Sequence, residues 1–284
     1  MALEPKKVRR AARKLRKFLN RNSAHVTPEE IHRLRTTIRK LEAATDAVLP
    51  KPSRRERALL REIGRIRKRA GKIRDMDVLT ADAISMRGAK KEQEHLIGLV
   101  HHLGAKRHKQ AKRLRSRIQR KGRAISKGVK RLSSRLRRRM SSSQSGGDAS
   151  GAEEAIAGAI HLLRDLKRPL TLNPQNLHPY RLKVKKLRDV IRLAQGPVQA
   201  GLADTLGEVK DTIGDWHDWE ELLSIGNKVL DGQSRSLVNK IRRVAARKYS
   251  RALSDTLHMR RKYLSTRTGR LSATALRATS AMAS

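Results

Sequence analysis

The chain has 284 residues, with 68 Lys+Arg against 26 Asp+Glu and a formal net charge of +42 at pH 7. It has no cysteine, which excludes a disulfide framework and any thiolate metal site or nucleophile. Two Trp, three Tyr and one Phe are too few for a sandwich or barrel built on aromatic packing, and the charge selects polyanions as partners: nucleic acid, an anionic membrane surface or inorganic polyphosphate.

The length predicts one or two domains. The hydrophobic fraction of 37% is low for a globular chain but sufficient for the narrow apolar stripes of helix bundles. Abundant Leu, Ala, Arg and Lys favour helix. No apolar run approaches the length of a membrane span. The basic N-terminus, MALEPKKVRRAARKLRKFLN, lacks the apolar core of a secretory signal, so the reducing cytoplasm is the expected compartment.

Taken in order, residues 5–21 read as a first helix with Val8, Leu15, Phe18 and Leu19 on its apolar side, followed by a turn over 20–24. A second helix is announced by Thr27-Pro28-Glu29-Glu30: Thr27 as N-cap, Pro28 at the first helical position, Glu30 completing a capping box. In it Ile31, Leu34, Ile38 and Leu41 form an apolar row, extended by Thr45 and Val48. His32, Arg35 and Arg39 form a cationic row beside it. The helix stops before Pro50 and Pro52, and Ser53 caps a third that carries Gly64 and Gly71 inside its helical pattern. A loop is expected over 80–90, around Arg87-Gly88. A long basic helix then starts near Lys90, in a stretch without Asp or Glu from His95 to Gly147, with Val100, Leu103, Leu114 and Ile118 as its expected buried row. Residues 140–151, MSSSQSGGDASG, read as a Ser/Gly linker.

Beyond the linker the pattern returns. AEEAIAGAIHLLRDL takes the role of the first helix. Asn176 is the expected cap of a helix carrying His178, Arg181 and Lys185, with Leu177, Tyr180, Val184, Leu187 and Ile191 as its apolar row. The next helix is expected from about Gln199 to Ile225, and a basic helix covers 234–264. The tail, 265–284, has no apolar stripe and is expected to be disordered.

Two motifs recur in the same order. IHRLRTTIRKL and LHPYRLKVKKL share H-x-x-R-x-x-[IV]-[RK]-K-L, with His32 and His178 146 residues apart. GKIRDMDVL and GDWHDWEEL share G-x-x-[RH]-D-x-[DE]-x-L, with Gly71 and Gly214 143 residues apart. The near-equal spacing implies an internal duplication. Four helices per copy joined by short loops imply two four-helix bundles, residues 5–139 and 152–264, related by a pseudo-twofold, with a basic groove between or along them.

These motifs resemble the CHAD domain, the conserved-histidine α-helical domain, over roughly residues 5–264. The resemblance implies an all-α pair of bundles that binds inorganic polyphosphate and targets polyphosphate granules or accompanies triphosphatase-type partners. Its ligand residues would fall on His32, Arg35, Arg39 and Lys40, and on His178, Arg181, Lys185, Lys186 and Arg188. Glu42 stands in the first copy where a further Arg is often found, a position that Arg188 keeps in the second. Lys106, Arg107, Arg242, Arg243 and Arg247 on the fourth helices correspond by role alone.

Each signal has a plainer reading. The His and Arg rows can be a solvated helix face. Asp75, Asp77, Asp218 and Glu220 can be read as metal ligands or an acid/base pair, but ion pairs among so many cations fit them better. Trp216 and Trp219, three apart on a helix, fit core packing better than base stacking. The expected function is non-enzymatic binding of polyphosphate, without cofactor or metal, strengthening as pH falls and the histidines protonate. The alternative is a non-specific nucleic-acid-binding or compacting protein, for which the basic run 102–139 alone would suffice.

Overall fold

The computed structural model describes residues 5–21, 26–49, 51–86, 90–142, 161–191, 197–230 and 234–264. Every regular element among them is a helix: α1 (Pro5–Leu19), α2 (Pro28–Val48), α3 (Arg54–Ser85), α4 (Lys90–Ser142), α5 (Pro174–Ile191), α6 (Pro197–Val229) and α7 (Arg235–Leu264), with a further helical turn at 161–165. The class is therefore all-α, as the composition and periodicity imply. No helix among these residues is long and apolar enough to cross a membrane. The chain divides into two units, 2–146 and 147–284, at a boundary inside the Ser/Gly stretch.

In the first unit α1 packs on α2 and α4, and α3 packs on the same two, so the four helices close a ring. The local signals hold. The Glu30 backbone N–H donates to Thr27 Oγ1 and the Thr27 N–H to Glu30 Oε2, both at 3.2 Å. Ser53 and Glu56 make the same reciprocal pair at the start of α3, at 2.8 and 3.3 Å. Ile31, Leu34, Ile38 and Leu41 are buried and meet Val8, Leu15 and Leu19 of α1, Ile63, Ile66 and Ile73 of α3, and Leu114, Val129 and Leu132 of α4. Thr45, also buried, bonds back to the Leu41 carbonyl at 2.7 Å.

Glycine permits two close approaches on α4. A Cβ at Gly122 would lie 2.8 Å from the Leu19 carbonyl oxygen of α1, and one at Gly128 would lie 2.8 Å from Leu59 Cδ1 of α3. Carboxylates of α3 then fasten the seam. Glu62 accepts from Arg117 at 2.7 Å, Lys121 at 3.1 Å and Arg65 at 2.6 Å. Glu56 accepts from Arg135 at 2.6 Å, and Asp77 from Arg107.

In the second unit α6 packs between α5 and α7. Leu177, Tyr180, Val184, Leu187 and Ile191 of α5 are buried against Leu206, Val209, Ile213 and Trp216 of α6 and Ala252 and Met259 of α7. Arg260 of α7 ties down the entry to α5. Its guanidinium donates to the carbonyls of Pro169 (2.7 Å) and Leu170 (3.1 Å) and to the Tyr180 hydroxyl (3.1 Å), which donates to the Leu166 carbonyl at 3.1 Å.

The structure corrects several expectations. The cap of α5 is Asn173, not Asn176: the two exchange bonds at 2.9 and 3.0 Å, with Pro174 at the first helical position and Asn176 three residues on. Helix α3 runs on to Ser85, through half of the expected 80–90 loop, with Leu79 and Ala83 buried one turn apart on its inner side. Leu99, not Val100, joins Leu103 and Leu114 in the buried row of α4, with Ile125, Val129, Leu132 and Leu136 continuing it; Ile118 is half-buried. Helix α4 includes 140–142, and α6 reaches Val229. The remaining linker, residues 152–160, the Arg87-Gly88 loop and the tail 265–284 lie outside the described residues.

Candidate functional site

On α2 the apolar row fixes the rotation of the helix, so the neighbouring row faces outward. His32, Arg39 and Lys40 are exposed and Arg35 is half-buried. Arg35 lies over α3, its Cζ 4.0 Å from the Cβ position of Gly71 and its Nη1 3.8 Å from Asp75 Oδ1. That nitrogen is buried without a hydrogen-bond acceptor. Burial pulls the guanidinium below its ordinary pKa, Asp75 opposes this, and Arg39, Arg74 and Arg67 add repulsion. Asp75 is thus shared between Arg35 and Arg74, the latter 3.5 Å away. Glu42, where the second copy has Arg188, pairs with Arg67 at 2.7 Å.

Helix α5 presents the corresponding residues to α6. Arg181 Nε donates to the Lys210 carbonyl at 2.9 Å, and its guanidinium lies 3.0 Å from where a Cβ of Gly214 would sit. One heptad further, Arg188 Nε donates to the Ala203 carbonyl at 3.3 Å, and its guanidinium lies 3.0 Å from the Cβ position of Gly207. In both cases the accepting carbonyl lies four residues before the glycine. The missing side chain opens a seat in which the guanidinium reaches the turn beneath. On α2 and α3 the same register recurs: Arg35 over Gly71, and Glu42 3.7 Å from the Cβ position of Gly64.

His178 packs its ring on His217 of α6, with centroids 4.1 Å apart and planes tilted by 34°. Its Nδ1 is buried without a hydrogen-bond partner. Burial lowers the His178 pKa, with His217 and Arg181 adding to the effect and Asp218 opposing it. His217 lies 4.0 Å from Asp218.

The structure therefore groups His32, Arg35 and Arg39 in one unit and, in the other, His178 with Arg181. Lys186 is exposed and Lys185 half-buried on α5. Arg188 borders a cavity of about 780 Å³ lined by Asp204, Glu208, Asp211 and Asp255 with Arg251 and His258, where Asp211 pairs with Lys210 and Asp255 with Arg251. Of the α4 candidates, Lys106 is exposed, whereas Arg107 is held by Asp77 and the Val26 carbonyl. Arg242, Arg243 and Arg247 are exposed on α7. Residue-type reasoning missed Arg67, Arg74 and His217; Arg74 and His217 occupy the shared [RH] position of the second motif, which was the available signal.

Asp75 and Asp77 sit in ion pairs with arginines, Asp218 lies 4.0 Å from His217 Nδ1, and no group of three or more His, Asp or Glu among the described residues could hold a metal ion. Trp216 and Trp219 are buried, Trp216 with its ring 5.5 Å from that of Tyr249.

The CHAD domain family profile matches residues 6–226. A solved structure, the CHAD domain from the plant Ricinus communis, is 18% identical, covers 90% of this chain and 88% of its own, and superposes with a TM-score of 0.60. At that identity the likeness is one of fold. No curated protein sequence matches significantly. The match over most of the chain, together with the two His-Arg helices it contains, places this protein in the CHAD domain family.

Proposed function

We propose that the protein binds inorganic polyphosphate without enzymatic turnover, through the His32-Arg35-Arg39 face of α2 and the His178-Arg181-Lys185 face of α5, and that this binding directs it to polyphosphate granules. We read the two faces as products of one duplication, which the shared Arg-over-Gly register supports. The observation that carries the proposal is Arg35 itself: its half-buried guanidinium lies over Gly71 with Nη1 lacking a hydrogen-bond acceptor, 3.8 Å from Asp75, and is repelled by Arg39, Arg74 and Arg67. Repulsion among cations that packing holds together is relieved by a ligand with a negative charge at each unit of its chain. Guanidinium groups meet phosphate oxygens in pairs of charge-assisted hydrogen bonds, and counterion release adds to the affinity. Family membership supports the same ligand, since CHAD domains are associated with polyphosphate.

Alanine at His32, Arg35, His178 and Arg181 together is expected to lower affinity for long-chain polyphosphate at least a hundredfold, with helicity retained by circular dichroism. The milder H32Q/H178Q pair guards against misfolding and should lose about tenfold. Unchanged affinity in both variants would sink the proposal.

A further inference from the structure

We propose that the outward face of α4 is a second binding surface, for the phosphate backbones of a DNA duplex, contacted without regard to base sequence. The helix has 53 residues, about 80 Å at 1.5 Å per residue. Lys109, Arg113, Arg120, Arg123, Lys127 and Lys130 are all exposed. Their spacings of 4, 7, 3, 4 and 3 residues hold them within an arc of about 100° over a rise of about 31 Å. The arc is centred opposite the buried row of Leu114, Ile125, Val129, Leu132 and Leu136.

Carboxylates are distributed to match. Arg107, Arg117 and Arg135, on the sides of the helix that meet α3, are each paired with an acid of that helix. None of the six outward cations pairs with a described carboxylate; Arg120 spends only its Nε, on the Ser116 carbonyl at 3.3 Å. Neutralisation thus stops at the seam and leaves the outer face charged.

The shape of the face selects the partner. A helix with side chains is about 10–12 Å across, and the major groove of B-form DNA is about 12 Å wide, whereas that of an RNA duplex is too narrow to admit it. Arg113 and Arg120 lie to one side of the ridge and Arg123 and Lys130 to the other, which suits the two backbones flanking a groove. A thin flexible chain of phosphates gains most from a concave site and would keep one side in water on this ridge. Single strands are bound by stacking bases on aromatic rings, and 90–142 contain no Phe, Trp or Tyr.

The test is a titration of the full chain with a 20-base-pair DNA duplex of arbitrary sequence at several salt concentrations, against the variant K109Q/R113Q/R120Q/R123Q/K127Q/K130Q. The variant is expected to lose at least a hundredfold in duplex affinity at 0.15 M salt. Its log–log salt slope should flatten by about 5, near 0.9 per phosphate contact removed, while long-chain polyphosphate binds within about threefold of the parent. No duplex binding by the parent, or a slope change below about 1, overturns the proposal. So does a parallel loss of polyphosphate affinity, which would make the face part of a general polyanion surface. Loss of polyphosphate binding from the His-Arg variants, or its absence, bears on the first function and leaves this one standing.

Discussion

Arg181 and His178 show how one side chain is tuned by its seat. The guanidinium of Arg181 occupies the space above Gly214 that any other residue would fill. In an ordinary helix interior Gly→Ala stabilises by up to ~1 kcal/mol. G214A should therefore leave thermal stability within about 1 kcal/mol of the parent, the gain in helix propensity being offset by the weakened bond from Arg181 Nε to the Lys210 carbonyl. By displacing Arg181 it should still lower polyphosphate affinity by about tenfold, near the low end of a charged hydrogen bond. G104A, where an added Cβ meets nothing within 4 Å, should stabilise without touching affinity. Calorimetry and a binding titration on both variants separate the seat from helix propensity. His178 follows a different sign. Its folded pKa is lowered below the ordinary 6.5, so the neutral imidazole is held in the fold and the unliganded protein loses stability as pH falls through 6.5. A bound polyanion reverses the bias and draws a proton in. Polyphosphate affinity should rise severalfold between pH 7.5 and 5.5, and H178Q should remove much of that rise in titrations at constant ionic strength.

At the scale of elements, α3 and α4 are joined by a small number of acids. Burial opposes the charge of Glu62, but the hydrogen bonds from Arg117, Lys121 and Arg65 outweigh it and hold the carboxyl at about 2 against an ordinary 4.5. A depressed acid contributes stability that is fully present above 4.5 and is lost as pH falls toward 2. E62Q should lower stability at pH 7 by about 1–2 kcal/mol after allowance for solvent screening, and should flatten the acid limb of stability between pH 4.5 and 2. Urea denaturation across that window reads both effects. Equal pH profiles for parent and variant would show that the arginines find other acceptors.

At the scale of the molecule, a net charge of +42 makes self-repulsion a general cost of folding. The chain meets it by uneven placement. Acids sit at helix starts and along the seams, at Glu30, Glu56, Glu62 and Asp77, where each neutralises cations that packing brings close. The His-Arg faces and the outer side of α4 are left positive. Binding of a polyanion relieves charge that the fold itself could not, which couples affinity to ionic strength in both proposed functions.

The helical class, the capping box at Thr27, the cap at Ser53 and the apolar rows of α2 and α5 were legible in the chain alone, because each rests on neighbours within one or two turns. So was the pairing of two His-Arg motifs with two glycine motifs at near-equal spacing. Asn173 was missed as a cap because two asparagines three apart offer the same local chemistry, and only the backbone bonds separate them. The displacement of the buried row from Val100 to Leu99 has a similar cause: adjacent apolar residues differ by one helical step, and the neighbouring helix chooses between them. What only tertiary structure decided was the use of the residues. Gly207 and Gly214 look like weak points in a helix until the guanidinium groups of Arg188 and Arg181 lie over them. His217 looks incidental until it meets His178 across two helices. Sequence carries the local preferences of a segment, but the charge and burial that set a site arise from side chains far apart along the chain.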